Sequence, residues 1–265
     1  MAISTQDQLV AALAAAKKFG LYKASVTTEG AGTWQSLWTA AGQPAAGAAQ
    51  GTANGAIPDN TTPGAIPYTN PGGANSGYLA KLSLHGANVG TLILYDRLWH
   101  NSGLSGIVTT AQAITQPALT RYTDGIGVEL WMEVYAAMGA TASVFTASYT
   151  NDANTAGRSA TYSMPANALT QNQMVPFALA SGDKGVKSVQ SVTLSLSTGT
   201  AGNFGLMLLK RIAEIPINAA NSGGVLDFFG LGGAVLPPSS CLFLAQLCSA
   251  TTSGVVNGSA AFIEG

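Results

Sequence analysis

The residues best suited to chemistry lie in one short segment, Tyr95 to Gly103, which reads Tyr-Asp-Arg-Leu-Trp-His-Asn-Ser-Gly. Asp, His and Ser are the groups of a hydrolytic triad, but a triad requires a particular geometry rather than adjacency in the chain. Asp96 and Arg97 are neighbours at the end of a predicted strand, so their side chains point to opposite faces. We therefore expect each to pair with a different partner and to fix loops or a subunit contact, without a catalytic role.

Two carboxylates, Glu129 and Glu133, lie in the segment Val128-Glu-Leu-Trp-Met-Glu-Val-Tyr135. On one face of a strand they are about 13 Å apart, since four residues of strand rise separate them. That is wider than either carboxylate separation used in glycoside hydrolysis. Trp131 lies between them, so this face is either a sugar-binding surface or a contact face for a neighbouring subunit or loop. We favour the contact face.

Metal and nucleotide sites lack their sequence patterns. The two histidines, His85 and His100, have no ligand spacing that predicts a metal site. The glycines at 125–127 lack the third glycine of a dinucleotide loop, and those at 230–233 lack the Lys-Ser/Thr of a phosphate loop. Cys241 and Cys248 form no CxxC or Cys/His cluster and are expected to be buried free thiols. The sequence therefore predicts no cofactor, no metal and no enzymatic activity.

The chain is poor in charge. Charged residues make up 9% of its 265 residues and the net charge is −1, against roughly 25% charged residues in an ordinary soluble domain. This balance gives no field that would attract nucleic acid or an anionic membrane. The C-terminal apolar region is interrupted by Asp227 and by Pro237-Pro238, so no apolar run of about 20 residues is present to span a bilayer. A poorly charged surface of this kind predicts an obligate assembly, because exposed charge normally keeps a monomer in solution.

The elements that must position these residues are predicted to be strands. From Val128 to Tyr135 the side chains alternate between two faces, and Val128, Leu130, Met132 and Val134 are expected to face a core. Residues 141–150 are expected to form the antiparallel neighbour of this strand. Turn-forming residues separate further candidate strands: 78–84, 89–95, 159–164, 173–179, 188–197, 203–212, 241–248 and 255–263. The pattern predicts a mainly β protein with an antiparallel β-sandwich. A jelly roll is the preferred topology and an immunoglobulin-like sandwich the alternative.

Residues 1–77 differ in kind from residues 78–265, which we expect to form the sandwich domain. Residues 4–18 are predicted to form a helix capped by Thr5, with Gln8 at the capping-box spacing, that packs on its own subunit or reaches another. Trp34 and Trp38 follow and are expected to be anchors. Residues 41–77 are almost all Gly, Ala, Pro, Asn, Gln and Thr, which predicts either an extended arm on a neighbouring subunit or a disordered linker.

These features together resemble a virion structural protein of a tailed bacteriophage, and among those most closely a capsid cement or decoration protein. The features are the helix and Gly/Ala/Pro-rich arm, the segment Leu94 to Gly103 and the central Val-Glu-Leu-Trp-Met-Glu-Val-Tyr strand. The resemblance implies a non-enzymatic protein on the capsid surface, made in the host cytoplasm. Its partners would be its own copies, with a trimer as one candidate, and the major capsid protein or other virion proteins.

Two alternatives accompany this reading. One is a structural protein of the phage tail, neck or baseplate, and the other is a carbohydrate-binding β-sandwich module that uses Trp99, Trp131 and Tyr135 as stacking platforms. The residues expected at subunit contacts are Trp34, Trp38, Asp96, Arg97, Trp99, Glu129, Trp131 and Glu133.

Overall fold

The structure is a computed structural model that describes residues 3–26 and 31–265. These residues form one helix, α1 (Gln6–Ala14), and sixteen strands. The first eight strands are β1 (Lys17–Lys23), β2 (Thr33–Ser36), β3 (Gly42–Gln43), β4 (Gly77–Gly86), β5 (Gly90–His100), β6 (Gln112–Ala113), β7 (Val128–Ala136) and β8 (Ser143–Asn151). The others are β9 (Arg158–Met164), β10 (Gln173–Pro176), β11 (Val186–Leu194), β12 (Asn203–Ile217), β13 (Ser222–Asp227), β14 (Val235–Leu236), β15 (Leu242–Cys248) and β16 (Val256–Glu264).

Six strands close into a barrel at the centre of the molecule, in the order β10-β2-β15-β5-β12-β7. Every pair around the barrel is antiparallel. The four-residue strand β2 completes the closure because it pairs with β15 on one side and with β10 on the other. Closure leaves the barrel strands without a free edge that could pair with another chain.

A four-stranded sheet, β6-β11-β8-β9, covers one side of the barrel. The core between them is built from alternating residues of both layers. Val128, Leu130, Met132 and Val134 of β7 face Phe145, Ala147 and Tyr149 of β8. The prediction that the alternating apolar residues of β7 face a core is confirmed.

The six-stranded terminal sheet covers another side of the barrel, in the order β13-β4-β16-β1-β3 with β14 beside β4. Leu82 and Leu84 of β4 pack against barrel residues such as Leu94 and Ile215. Helix α1 lies on the outer face of this sheet, where Leu9 and Ala12 contact the cluster around Tyr78. The predicted capping box is confirmed: Thr5 and Gln8 exchange hydrogen bonds.

Residues 44–68, here called the strap, lie across one end of the barrel. Ala56 forms a β-bridge with His100, and Ile66 forms another with Leu242. Most side chains of the strap are small. Its backbone carbonyls accept hydrogen bonds from buried donors of the rest of the chain: Lys23, Trp38, Trp99, Asn101 and Arg121. The strap is therefore held by its own chain.

The absence of a Cβ lets the strap approach the barrel closely. A Cβ on Gly47 would lie 2.2 Å from a ring carbon of Trp38, and one on Gly64 would lie 2.8 Å from the Cα of Gly47. The low-complexity composition thus has a packing reason, since larger side chains would push the strap off Trp38.

The chain is mainly β with antiparallel sheets, as predicted. All eight further candidate strands are present, with ends that differ by a few residues. The helix is shorter than expected, because Lys17 and Lys18 begin β1 instead of ending α1.

The expected pairing of β7 with residues 141–150 is wrong: β8 pairs with β9 and β11 and faces β7 across the core. Strand pairing also crosses the predicted boundary at residue 77, since β1 and β2 pair with β16 and β15.

Candidate functional site

The charged pair of the segment Tyr95 to Gly103 lies in β5, at the strap end of the barrel. The two side chains have different partners, as predicted. Asp96 points away from the barrel interior and is buried. It accepts two hydrogen bonds from Arg121, at 3.1 Å from Nε and 3.0 Å from a second guanidinium nitrogen. It also accepts the backbone N–H of Cys241 at 2.8 Å. Because Arg121 also donates to the carbonyl of Pro58, this pair joins the barrel wall to the strap.

Arg97 points into the barrel and has no exposed surface. Its guanidinium donates to Glu133 Oε2 at 2.8 Å. The guanidinium carbon lies 4.3 Å from the centre of the Trp38 ring and 4.4 Å from that of Phe243. Contacts with aromatic faces and an opposite charge offset part of the cost of removing a cation from water.

His100 completes the cluster and its proton can be placed by elimination. Arg97 can only donate, so the His100 Nδ1 that lies 2.9 Å away must accept. The remaining proton is then on Nε2, which lies 3.1 Å from Nε2 of Gln50. Two donors cannot bond to each other, so the Gln50 amide is turned to place its oxygen there. Burial, together with the positive charge of Arg97, holds the pKa of His100 well below its usual value of 6.5. The imidazole is therefore neutral.

Glu133 links the cluster to Tyr135, whose hydroxyl donates to Glu133 Oε2 at 2.7 Å. Desolvation and the nearby carboxylate raise the pKa of Tyr135 well above its usual value, so the phenol keeps its proton. Glu133 Oε1 and two nitrogens of Arg97 have no hydrogen-bond partner among the described residues. Arg97, His100 and Glu133 are almost completely shielded from solvent, so the cluster holds the barrel interior together and offers no open surface to a substrate.

The second carboxylate, Glu129, lies at the opposite end of the barrel. It accepts hydrogen bonds from the indole of Trp131 at 2.7 Å, from Tyr95 at 3.3 Å and from Arg211 at 3.2 Å. Trp34 contacts Trp131 edge to face, with ring centres 5.6 Å apart. Three donors thus bind the Glu129 carboxylate. Its role is to hold the side chains at the barrel mouth in place.

The structure brings most of the residues expected at subunit contacts into the interior of their own chain. Trp38, Asp96, Arg97, Trp99, Trp131 and Glu133 are each at most 2% exposed, so their side chains have almost no surface to offer a neighbour. The outer face expected for Glu129, Trp131 and Glu133 is the lining of the barrel. Trp34 and Glu129 are partly exposed, and for these two a subunit contact stays a prediction. The proposed sugar platforms Trp99 and Trp131 are buried as well.

Sequence reasoning missed the partners of these charges. Arg121, Glu133 and Gln50 come from three separate parts of the chain, and only barrel closure brings Glu133 beside Arg97. A signal was present for Arg121, because it is the next charged residue along the chain after Asp96 and Arg97 and so a candidate partner for one of them. No comparable signal marks Gln50.

The two cysteines are buried and free, as predicted. His85 is exposed on the terminal sheet whereas His100 is buried in the barrel. Within residues 3–26 and 31–265, no group of three or more His, Cys, Asp or Glu side chains is placed to hold a metal ion. None of the helical structure described for these residues is long and apolar enough to cross a bilayer.

Comparisons with known proteins gave no match: no family model, no curated protein and no solved structure matches this chain.

Proposed function

We propose that this chain is a structural component of a bacteriophage virion, a capsid cement or decoration protein that stabilises the shell through subunit contacts. The observation that carries the proposal is the order of the eight successive strands β5 to β12. Numbered 1 to 8 along the chain, they lie in two facing layers with the orders 1-8-3-6 and 2-7-4-5. We take this order to be that of a jelly roll, an architecture used by viral capsid proteins and by lectins.

Strand order alone supports many functions, so the proposal also draws on the surface. Five large apolar side chains are exposed on the outer side of the terminal sheet, and we call them the apolar patch: Val10 (59% exposed), Leu13 (41%), Val225 (56%), Phe229 (78%) and Val235 (55%). Helix α1 carries the first two, and β13, β14 and the turn between them carry the others. Neighbouring Phe228 packs against Tyr78, in the same cluster that Leu9 and Ala12 of α1 contact.

An exposed apolar patch is typical of a surface that another protein covers. Burying one large apolar side chain contributes about 1.5–3 kcal/mol, and stable contacts bury more than about 1,000 Å² in total. On a chain with 9% charged residues, little electrostatic repulsion opposes such contacts. A shell lattice supplies many copies of the same contact, so a modest gain per subunit adds up over the capsid.

The compact form of the subunit favours one mode of attachment over another. The accessible surface is 10571 Å², close to the roughly 10,700 Å² expected for a compact monomer of this mass. The strap is part of that compact body, whereas the sequence predicted either an extended arm on a neighbouring subunit or a disordered linker. We therefore propose attachment through a preformed face, with the apolar patch as its centre, instead of through an extended arm.

The test is to locate the chain in an electron-microscopy map of the particle that contains it. We expect density for the barrel and its two flanking sheets on the outer capsid surface, at positions that follow the symmetry axes of the shell. Density in three- or six-fold rings of the tail, neck or baseplate would contradict the cement role and support the alternative location. Purified particles that lack the chain would contradict a virion role altogether.

A further inference from the structure

We propose that a groove beside the barrel mouth binds a neutral saccharide. The groove has a volume of about 390 Å³ and lies between β2, β10 and the end of β9 with the loop that follows it. Its main lining residues are Trp34, Tyr162, Pro165, Asn167, Gln173 and Pro176. This volume lies within the range of about 300–1,000 Å³ typical of small-molecule sites.

Two aromatic side chains line the groove, Trp34 and Tyr162, and each packs against other aromatic rings of the protein. Trp34 is partly exposed and contacts Trp131 edge to face. Tyr162 is also partly exposed, and its ring lies 6.2 Å from Phe145 and 6.4 Å from Phe177, measured between ring centres. Aromatic rings fixed in this way bind without losing much conformational freedom, and they stack on the C–H faces of sugar rings.

The polar groups of the groove are mainly hydrogen-bond donors. Gln173 is only 8% exposed, and its Oε1 accepts the backbone N–H of Thr170 at 3.2 Å. This contact fixes the amide orientation and leaves the two N–H groups of Nε2 without a partner among the described residues. The indole N–H of Trp34 and the hydroxyl of Tyr162 likewise make no hydrogen bond to described residues, and neither does the side-chain amide of Asn167. These donors suit a ligand that presents several acceptor oxygens.

Among the described residues that line the groove, none is Asp, Glu, Lys, Arg or His. A charged ligand would lose its hydration without gaining an ion pair, so the site favours a neutral molecule. Apolar ring faces next to hydroxyl and ring oxygens, without charge, are the features of a neutral sugar. The groove differs from the sugar platform expected from the sequence, whose residues Trp99 and Trp131 are buried. It is also independent of where the chain sits in a virion.

The experiment uses the full chain on an array of neutral oligosaccharides built from glucose, galactose, mannose and N-acetylglucosamine. The best binder is then titrated by tryptophan fluorescence, since Trp34 is the most exposed of the four tryptophans. We expect saturable binding that Tyr162→Ala weakens about tenfold or more, because an aromatic anchor is lost. Tyr22→Ala is the matched control, since Tyr22 is 47% exposed on the terminal sheet, and it should bind as the wild type does.

A second variant, Asn167→Ala, guards against misfolding of Tyr162→Ala. Asn167 is exposed in a loop and its side chain makes no hydrogen bond to described residues, so the fold should be unaffected while the affinity falls about threefold or more. The proposal is overturned if the array shows no binding, or if binding is unchanged in both groove variants. It is also overturned if the groove residues bind a proline-rich peptide and no glycan.

Discussion

The guanidinium of Arg97 lies 2.8 Å from Glu133 Oε2 inside the barrel, and neither side chain is more than 1% exposed. A buried ion pair of this kind contributes little net stability when compared with apolar residues of the same volume. Breaking it is costly, however, because the remaining charge is left in the interior without a partner. The pair therefore makes the stability of the barrel sensitive to either residue.

Glu133→Gln should destabilise the protein by about 3–5 kcal/mol. The substitution keeps the shape of the side chain but leaves Arg97 as an uncompensated buried cation. The measurement is the free energy of unfolding from chemical denaturation. Glu214→Gln is the control, since Glu214 pairs with Arg211 at 47% exposure and should cost less than about 1 kcal/mol. A Glu133→Gln variant as stable as the control would show that the pair is not a weak point of the barrel.

The neutral state of His100 predicts a loss of stability in mild acid. Burial and Arg97 lower the pKa of His100 in the folded state, so below about pH 6.5 the unfolded chain takes up a proton that the folded chain does not. The free energy of unfolding should therefore fall as pH falls, by about 1.4 kcal/mol per pH unit from this residue. His100→Gln should show a smaller decrease between about pH 7.5 and about pH 5.5.

The control for this comparison is His85→Gln, which removes the exposed histidine of the terminal sheet and should keep the wild-type decrease. If His100→Gln loses stability with acid as steeply as the wild type, another group is responsible.

Two glycines of the strap offer a matched pair for testing how closely it packs. A Cβ on Gly47 would lie 2.2 Å from the Trp38 ring, whereas one on Gly51 would have no atom within 4 Å. Gly47→Ala should therefore destabilise the protein by about 1–3 kcal/mol through overpacking. Gly51→Ala should change stability by less than about 1 kcal/mol, in the stabilising direction if the backbone is compatible. Thermal unfolding followed by near-ultraviolet circular dichroism measures both, and equal effects would contradict the packing of the strap on Trp38.

The apolar patch can be tested on the assembled state. A Phe229→Ser/Val235→Ser variant should weaken association of the chain with its own copies or with capsid particles, because two exposed apolar side chains no longer contribute to the contact. Sedimentation velocity and co-sedimentation with particles measure the two kinds of association. Leu196→Ser is the control, since Leu196 is 58% exposed after β11 and lies outside the patch. Equal association of the double variant and the wild type would place the contact elsewhere.

Much of the fold could be predicted from local pattern, and the rest depends on contacts distant in sequence. Strands such as β4 and β12 were found because their residue types and flanking turns identify a strand without knowledge of its neighbours. The opposite directions of Asp96 and Arg97 followed from strand geometry alone. The pairing of strands depends instead on contacts between distant parts of the chain. For example, β8 follows β7 closely in sequence, yet it packs in another layer.

The barrel and the strap lacked a sequence signal for physical reasons. Strand β2 has four residues, too few for an alternation to be recognised, and its partners lie about 140 and 210 residues away along the chain. The strap is held through its carbonyls and through the missing Cβ atoms of its glycines, neither of which appears in hydropathy. As a result the face of β7 that carries Glu129, Trp131 and Glu133 was expected to meet another subunit, when in fact it lines a closed interior.

Strand β1 pairs with β16 so that Lys17 lies opposite Phe262, which joins the first and last strands of the described residues. During synthesis the ribosome releases β1 and β2 long before their partners β15 and β16 exist. The edges of β1 and β2 that pair with β16 and β15 therefore stay without these partners until residues 242–264 have been made. The barrel therefore cannot close before β15 is available, and a chain truncated before residue 242 would lack the strand that joins β2 to β5.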